Sequence, residues 1–340
     1  MATIQDIADR AAVSKATVSR VLNNYQYINK ETRERVQKAI EELNYAPSNL
    51  ARGMRLKRTQ TIGLLVADIS NPFYSEIAKA VINLANSYGY AVILGTTDYN
   101  MKNQADFISI LKQHQVDGFI FASVFLKDAP AKQLISSGMP TVLLNRRFSQ
   151  NRNVNYVVLD NQSGTYMAVE HLVKLGHQRI GFIRGHNSFS TSRERFQGYM
   201  NAVKEYNLNF DDSLIQSGDF NEKQAYQATL NLIGLPSPPS AILAANDLMA
   251  FSAMEAISAE GLRIPNDIAL VGFDDVEMAH NSFIQLTTVT QNKHTMAEIA
   301  TRTLIQIIEG GQVQVPVQVM LKPQLIVRRT CGARSKETGI

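Results

Sequence analysis

From Thr61 onward, short apolar runs alternate with amphipathic segments of helical period, and few architectures accept that order. Strand-length runs fall at Ile62–Val66, Ala91–Leu94, Phe119–Phe121, Val142–Leu144 and Val157–Leu159. A second series falls at Ile180–Ile183, Leu214–Gln216, Ala241–Ala244, Ile268–Val271 and Thr288–Thr290. Between most of them lie helical patterns at Tyr74–Asn86, Ala105–His114, Gly164–Leu175, Arg195–Glu205, Lys223–Leu232 and Leu248–Glu260. Strand–helix alternation implies parallel sheets with right-handed crossovers. About ten strands suit two such sheets better than one. The long pattern Met296–Ile308 and the strands Val319–Leu321 and Leu325–Val327 then return to close the two lobes.

Open parallel sheets bind ligands beyond the carboxyl ends of their strands, and polar residues collect there. Asp68 and Asn71 follow the first strand. Asn145, Arg146 and Arg147 follow Leu144, and Asp160 follows Leu159. Asn246 and Asp247 follow Ala245, and Asp274 and Asp275 follow Phe273. Together they predict a cleft for a small polar molecule. Each alone can be a cap or turn residue, and Asp247 and Asp275 are read that way. Phe73, Tyr74 and Phe220 are candidate stacking faces for a sugar ring or base, with amides and carboxylates to take its hydroxyls. Phe73 and Tyr74 can equally begin a buried helix face.

The first 58 residues have a different character. They carry 11 of the chain's 34 Lys and Arg but only 6 of its 30 acids, so the remainder is close to neutral. A basic head on a neutral body points to a polyanion partner for the head alone. Thr3 can cap a helix that puts Ile4, Ile7, Ala8 and Ala11 on one face. Ala12-Val13 makes a short break, and Ser14 can cap a second helix to about Leu22. A third, from Asn29 or Glu31, buries Val36, Ala39, Ile40 and Leu43. Two short helices across so tight a turn make a helix-turn-helix. Its second helix enters the major groove with its N-terminal residues at the base edges. Lys15 and Arg20 can donate to guanine, Ala16 can touch a thymine methyl, and the hydroxyls of Ser14, Thr17 and Ser19 suit phosphates.

Between head and body, Asn49 to Leu56 has room for two turns of helix. Gly53 weakens it, and so short a helix is marginal alone in water. DNA or a partner chain can order such a segment; otherwise it is a flexible tether.

Enzyme signatures are missing. The sequence has no Gly-x-Gly-x-x-Gly after a strand, no phosphate-binding Gly-x-x-x-x-Gly-Lys-Ser/Thr loop and no Gly-x-Ser-x-Gly elbow. The six His show no metal-ligand spacing, and His177 is read as packing at a helix end. No cofactor or metal is expected. The single cysteine, Cys331, is read as a spectator thiol. The N-terminus lacks signal-peptide character, and the longest uncharged run, Gln224 to Asn246, is broken by Pro236, Pro238 and Pro239. A cytoplasmic protein with no membrane partner is expected.

The head motif Ile4-Gln5-Asp6-Ile7-Ala8, then Val13-Ser14-Lys15-Ala16-Thr17-Val18-Ser19-Arg20-Val21-Leu22-Asn23, closely resembles the LacI/GalR family of bacterial transcriptional regulators. Thr32-Arg33-Glu34-Arg35-Val36 and Leu43-Asn44-Tyr45-Ala46-Pro47 continue the match. The body resembles the family's type I periplasmic-binding-protein fold through Asp68-Ile69-Ser70-Asn71-Pro72-Phe73-Tyr74, Arg195-Phe196-Gln197-Gly198-Tyr199, Ala245-Asn246-Asp247 and Val271-Gly272-Phe273-Asp274-Asp275. The resemblance implies a helix-turn-helix head at 1–46, a hinge helix at 47–58 and a two-lobed body at 59–340. The N-lobe would take about 60–159 and 291–318, and the C-lobe about 160–288 and 322–330. DNA contacts would come from Thr3, Ser14, Lys15, Ala16, Thr17, Ser19, Arg20 and Asn23, and in the hinge from Asn49, Ala51 and Met54. Met54 takes the wedge position where the family usually has Leu. Effector contacts would come from Phe73, Asn145, Asp160, Arg195, Phe220, Asn246 and Asp274, with Arg147 and Thr191 as weaker correspondences; Tyr74 joins them as a stacking face read from the residues.

The function so implied is a homodimeric repressor on a near-palindromic duplex operator, controlled by a small effector of sugar type. Two alternatives stay open. One is control by a phosphocarrier protein, as in some family members. The other is a solute-binding module, against which the basic head argues.

Overall fold

The computed structural model describes residues 2–22, 25–44, 58–150, 153–310 and 315–333. The chain divides into two compact units at Thr59/Gln60. The candidate contacts Asn23, Asn49, Ala51 and Met54, and nearly all of the expected hinge, lie outside the described residues.

In the smaller unit, helix α1 (Ile4–Arg10) starts at a reciprocal cap: Asp6 N donates to Thr3 Oγ1 at 3.3 Å and Thr3 N donates to Asp6 Oδ2 at 2.7 Å. The chain turns at Ala12, whose φ of 54° is the left-handed region that favours glycine. Thr17 N donates to Ser14 Oγ at 3.2 Å, so Ser14 opens α2 (Lys15–Leu22). Asn29 does the same for α3 (Lys30–Glu42), accepting from Thr32 N at 2.8 Å. Ile7, Ala8, Val18, Val21, Val36 and Ala39 close into one core.

The larger unit contains two six-stranded sheets. The first is built from β1 (Thr61–Val66), β2 (Ala91–Thr96), β3 (Gly118–Phe121), β4 (Thr141–Leu144), β5 (Asn155–Leu159) and β11 (Gln318–Leu321), in the order β11-β5-β4-β3-β1-β2. The second takes β6 (Ile180–Arg184), β7 (Ile215–Ser217), β8 (Ala241–Ala244), β9 (Ala269–Asp274), β10 (Thr287–Thr290) and β12 (Gln324–Ile326), in the order β12-β10-β9-β8-β6-β7. The central strands are apolar without alternation because both faces are covered by helices. All pairings are parallel except β10 with β12, an antiparallel edge that the alternation pattern did not show.

The covering helices are α4 (Pro72–Ser87), α5 (Met101–Gln113), α6 (Ala129–Ser136), α7 (Asn161–Lys174), α8 (Ser190–Glu205), α9 (Glu222–Ile233), α10 (Asp247–Ala259) and α11 (Lys293–Ile308). Several begin a turn before their apolar period does. Asn100 caps α5 and Asp160 caps α7, so their first turns are polar and carry no hydrophobic signal. The short α6 has no counterpart in the sequence reading. Among the described residues, no helix is long and apolar enough to cross a membrane.

The chain passes between the sheets three times: after β5, after β10 and after β11. Backbone and side chain lace the crossings together. Asp160 N donates to the Leu321 carbonyl at 2.9 Å, and Asn292 Nδ2 donates to the Lys322 carbonyl at 3.3 Å. The carboxyl ends of both sheets therefore face one cleft between two lobes. Cys331 is no spectator in its surroundings. It is fully buried, with Sγ 3.2 Å from Thr287 Oγ1 and 3.3 Å from His171 Nε2.

Candidate functional site

On the small unit, burial of Val18 and Val21 turns Lys15, Ala16 and Arg20 outward from α2. These three candidate base readers share an exposed surface with a basic helix start. The hydroxyls of Ser14 and Thr17 lie 3.0 Å apart and serve the cap. Thr3 is likewise committed to its cap, through Asp6. Exposed Tyr25 and Tyr27 stack edge to face beside this surface, and the Arg20 guanidinium lies 5.9 Å from the Tyr25 ring.

In the cleft of the large unit a tight cavity, with about 20 Å³ of free space, is lined from both lobes. The first lobe supplies Asn71, Phe73, Tyr74, Tyr99, Asn145 and Arg146. The second supplies Thr191, Arg195, Phe220, Asn246 and Asp274, and the second crossing supplies Gln291. Asn71 and Asn246 reach it because each caps a helix at a strand's carboxyl end, accepting from Phe73 N at 3.0 Å and Met249 N at 2.9 Å. Asn145, Phe220 and Asp274 have φ values of 65°, 59° and 127°. Non-glycine residues in that region carry strain, which clusters where a structure aims side chains at a ligand. Gly185 helps: a Cβ there would meet the Phe220 ring at 2.1 Å, so only glycine lets the ring lie against β6.

The second lobe's polar wall is fully knitted. Arg195 Nε donates to Asn161 Oδ1 at 3.0 Å, and Nη1 donates to the Ala245 carbonyl and lies 3.4 Å from Asp274 Oδ1. The Arg195 guanidinium carbon sits 3.7 Å from the Phe273 ring centre. Asp274 Oδ1 also accepts from Gln291 Nε2. Burial pushes the Asp274 carboxyl up, and the Arg195 charge holds part of that rise back. Beneath it, Asp247 accepts from Thr288 Oγ1 at 2.5 Å and from Val276 N at 2.9 Å, and burial raises it too. Asp247 is therefore an internal strut and not the simple cap expected. Asp275 pairs with Arg328 at 2.7 Å and His280 at 3.1 Å.

The first lobe's wall is different. Arg146 is 2% exposed, yet its Nε and Nη1 have no hydrogen-bond partner. Aromatic rings surround it, with Phe189 at 3.8 Å, Tyr99 at 5.4 Å, and Tyr74 and Phe220 both at 5.8 Å. Asn145 Oδ1 and Gln291 Oε1 are buried without partners as well. Orphan donors and acceptors in one cavity describe the complement of a ligand that offers both, such as a polyhydroxyl ring. Among the described residues, no group of three His, Cys, Asp or Glu is placed to hold a metal ion.

Of the effector residues expected from sequence, Phe73, Tyr74, Asn145, Thr191, Arg195, Phe220, Asn246 and Asp274 line this cavity. Two others do not. Arg147 turns away, pairing with Glu194 at 2.9 Å, and Asp160 is spent capping α7 at the first crossing, accepting from Ser163 N at 3.0 Å. Asn71 and Arg146, which the strand-end reading places at the cleft but the family resemblance does not name as effector contacts, line the cavity too, and Tyr99 and Gln291 join them without either signal being read. Asn71, Arg146 and Gln291 stand just past strand ends, a signal that was present for all three.

Comparisons with known proteins fit both units. The model of bacterial regulatory proteins of the lacI family matches residues 3–48. The model of periplasmic binding proteins and the sugar binding domain of the LacI family matches residues 59–320. A ribose operon repressor of Halalkalibacterium halodurans is 38% identical over 330 residues, covering 97% of each chain. An HTH-type transcriptional repressor PurR of Escherichia coli is 34% identical over 331 residues, again covering 97% of each. Among solved structures, the lac repressor dimer bound to operator and the anti-inducer ONPF superposes with a TM-score of 0.86 at 29% identity, covering 97% of this chain and 99% of that one. The transcriptional regulator CelR in complex with cellobiose superposes at 0.73 with 31% identity, covering 97% and 100%.

Proposed function

The chain belongs to the LacI family of bacterial regulatory proteins, and on that premise we propose that it is a sugar-responsive repressor whose effector is a monosaccharide, with D-ribose the first candidate. One observation carries the choice of ligand. The cavity holds unpartnered amide and guanidinium groups between aromatic faces. Its free space is only about 20 Å³, far below the roughly 300–1,000 Å³ of pockets for drug-sized molecules. Such tightness favours a ligand of one sugar ring over one of two.

In this reading, Phe73 and Phe220 cover the apolar C–H faces of the ring. Arg146, Arg195 and Asn246 donate to hydroxyl oxygens, and Asp274 accepts a hydroxyl proton. Lining from both lobes means that a ligand completes its contacts only when the lobes are together, so it selects the closed arrangement. Two chains pair through their bodies and set two heads on a near-palindromic operator in the cytoplasm, as support from the operator-bound lac repressor dimer favours. Lys15, Ala16 and Arg20 read bases there. Effector and operator then bias the same global states, so each changes the other's affinity by the same factor.

The test uses the full chain. A preferred duplex is selected from a random pool, and its affinity is followed by fluorescence anisotropy as D-ribose is added. A change of roughly 5- to 150-fold is expected. Constant affinity across pentoses and hexoses would overturn sugar control. Failure to prefer any duplex would overturn the repressor assignment.

A further inference from the structure

Tyr99 and Phe220 line two spaces at once. One is the cavity, and the other is an outer vestibule of about 830 Å³ that Phe189 also borders. The three rings form a partition drawn from both lobes. Ring centres are 5.8 Å apart for Tyr99 and Phe189, 6.5 Å for Tyr99 and Phe220, and 6.3 Å for Phe189 and Phe220. Arg146 lies against them on the cavity side.

The vestibule has its own charge. Asp68 and Asp98 enter it from the first lobe, and Asp219 and Glu222 from the second; Lys223 and His186 are its basic groups. Hydroxyl donors hold three of the acids in place: Ser70 Oγ to Asp68 at 2.7 Å, Thr96 Oγ1 to Asp98 at 2.9 Å and Ser217 Oγ to Asp219 at 2.6 Å. Among the described residues, none of the four acids has an ion-pair partner within 4.0 Å. Inside the partition the balance is reversed, because Arg195 is offset by Asp274 and Arg146 by no carboxylate.

We propose that this acidic vestibule makes the site select an unphosphorylated sugar over its phosphate ester, so that the protein reads free ribose and not ribose 5-phosphate. The inference rests on the reading of the cavity as a monosaccharide site. The cavity is so tight, with about 20 Å³ of free space, that a ring inside it leaves no room for a phosphoryl group. The ester must therefore push its phosphate past the rings into the vestibule. A phosphate carries about −1.5 to −2 charges at neutral pH, and there it meets four carboxylates against Lys223 and His186. Arg146 cannot compensate, because ring faces cover its guanidinium on the vestibule side and its orphan Nε and Nη1 belong to the cavity. The neutral sugar meets none of this repulsion. Discrimination comes from an unfavourable contact offered to the wrong ligand.

Calorimetry on the full chain at low salt, with pentoses and hexoses each paired with its terminal phosphate, tests the proposal. Ribose is expected to bind at least about 30-fold tighter than ribose 5-phosphate, with the ratio narrowing as salt is raised. The double variant Asp98→Asn, Glu222→Gln changes two exposed side chains. It should narrow that ratio at least about threefold and leave ribose affinity unchanged. A phosphate ester that binds as tightly as its parent sugar, or a ratio the variant does not move, overturns the filter. If a different neutral sugar binds ahead of its ester while ribose does not bind, the choice of ribose fails and the filter stands. If no member of the panel binds, both fail.

Discussion

Arg195 and Arg146 face one cavity from opposite lobes, and their surroundings differ. Arg195 has an amide, a carbonyl and a carboxylate around its edge and a ring on its face. Arg146 has only rings, with Nε and Nη1 unpaired. One wall is finished as it stands, while the other keeps unpaired donors that a ligand would complete in the function proposed above. An unpaired buried donor costs roughly 1–3 kcal/mol, and a ligand that satisfies it returns that energy to the closed state only. The asymmetry therefore gives the ligand a differential hold on closure, which is what shifts a population.

The sharpest way to break this contrast is a pair of substitutions. Arg195→Met leaves Asp274 buried without its cation and should cost about 3–5 kcal/mol in the urea stability of the body. Arg146→Met removes a guanidinium that has no carboxylate to strand. Its stability should stay within about 1 kcal/mol of wild type or rise, while ribose affinity in calorimetry falls roughly 10- to 100-fold, the worth of hydrogen bonds to a charged group. Equal destabilisation by the two would show that the walls are alike after all.

The same pair shows how far the sequence could be read. The alternation of strand and helix specified both sheets, because a buried parallel strand announces itself by continuous apolar character. The cleft followed, since strand ends are where polar residues must collect. The sequence could not say which of Asn145-Arg146-Arg147 faces inward. That depends on the left-handed turn at Asn145, which rotates Arg146 into the cavity and sends Arg147 to Glu194. Asp160 stands at a strand end too, but the chain changes lobes there, and its carboxylate is used to start α7. Tyr99 escaped notice because Asp98 and Tyr99, both at positive φ, bend the chain back after β2 with no apolar period to mark it. Local spacing conveys which residues stand at the rim; the backbone turn decides which of them look in.

A smaller effect separates the walls by pH. The second lobe buries Asp247 behind Asp274, whereas the first lobe's wall holds no carboxyl. Burial raises Asp247 from its ordinary 3.8, and the nearby Asp274 charge adds to the rise. Folding thus favours the protonated acid. That stabilisation is complete below the ordinary carboxylate value and is lost as pH climbs through the raised one. Asp247→Asn stays neutral throughout and keeps an oxygen for Val276 N. Its stability relative to wild type should improve by roughly 1–2 kcal/mol between pH 4 and pH 8 in urea titrations. A constant difference across that range would mean that Asp247 is charged in the fold at every pH tested.

The gentlest test bears on what besides the ligand holds the walls together. On one flank Arg147 crosses to Glu194 and its backbone N–H to Ser190 Oγ at 3.1 Å. On the other, Glu76 of α4 accepts from Glu277 N at 3.1 Å and pairs with Lys293 at 3.0 Å, and Lys293 Nζ also donates to the Asp274 and Asp275 carbonyls at 3.1 and 2.5 Å. All but the Glu76–Lys293 pair join one lobe to the other, and the Lys293 bonds reach the backbone that aims Asp274. Glu76→Gln keeps an acceptor for Glu277 N and removes the charge opposite Lys293. Glu76 is about one-quarter exposed, so the pair is worth no more than about 1 kcal/mol. Ribose affinity should fall about two- to fivefold with the urea midpoint unchanged. A loss as large as that of Arg146→Met would move the control of closure from the unfinished wall to the clasp at its edge. No loss at all would leave closure to the ligand alone.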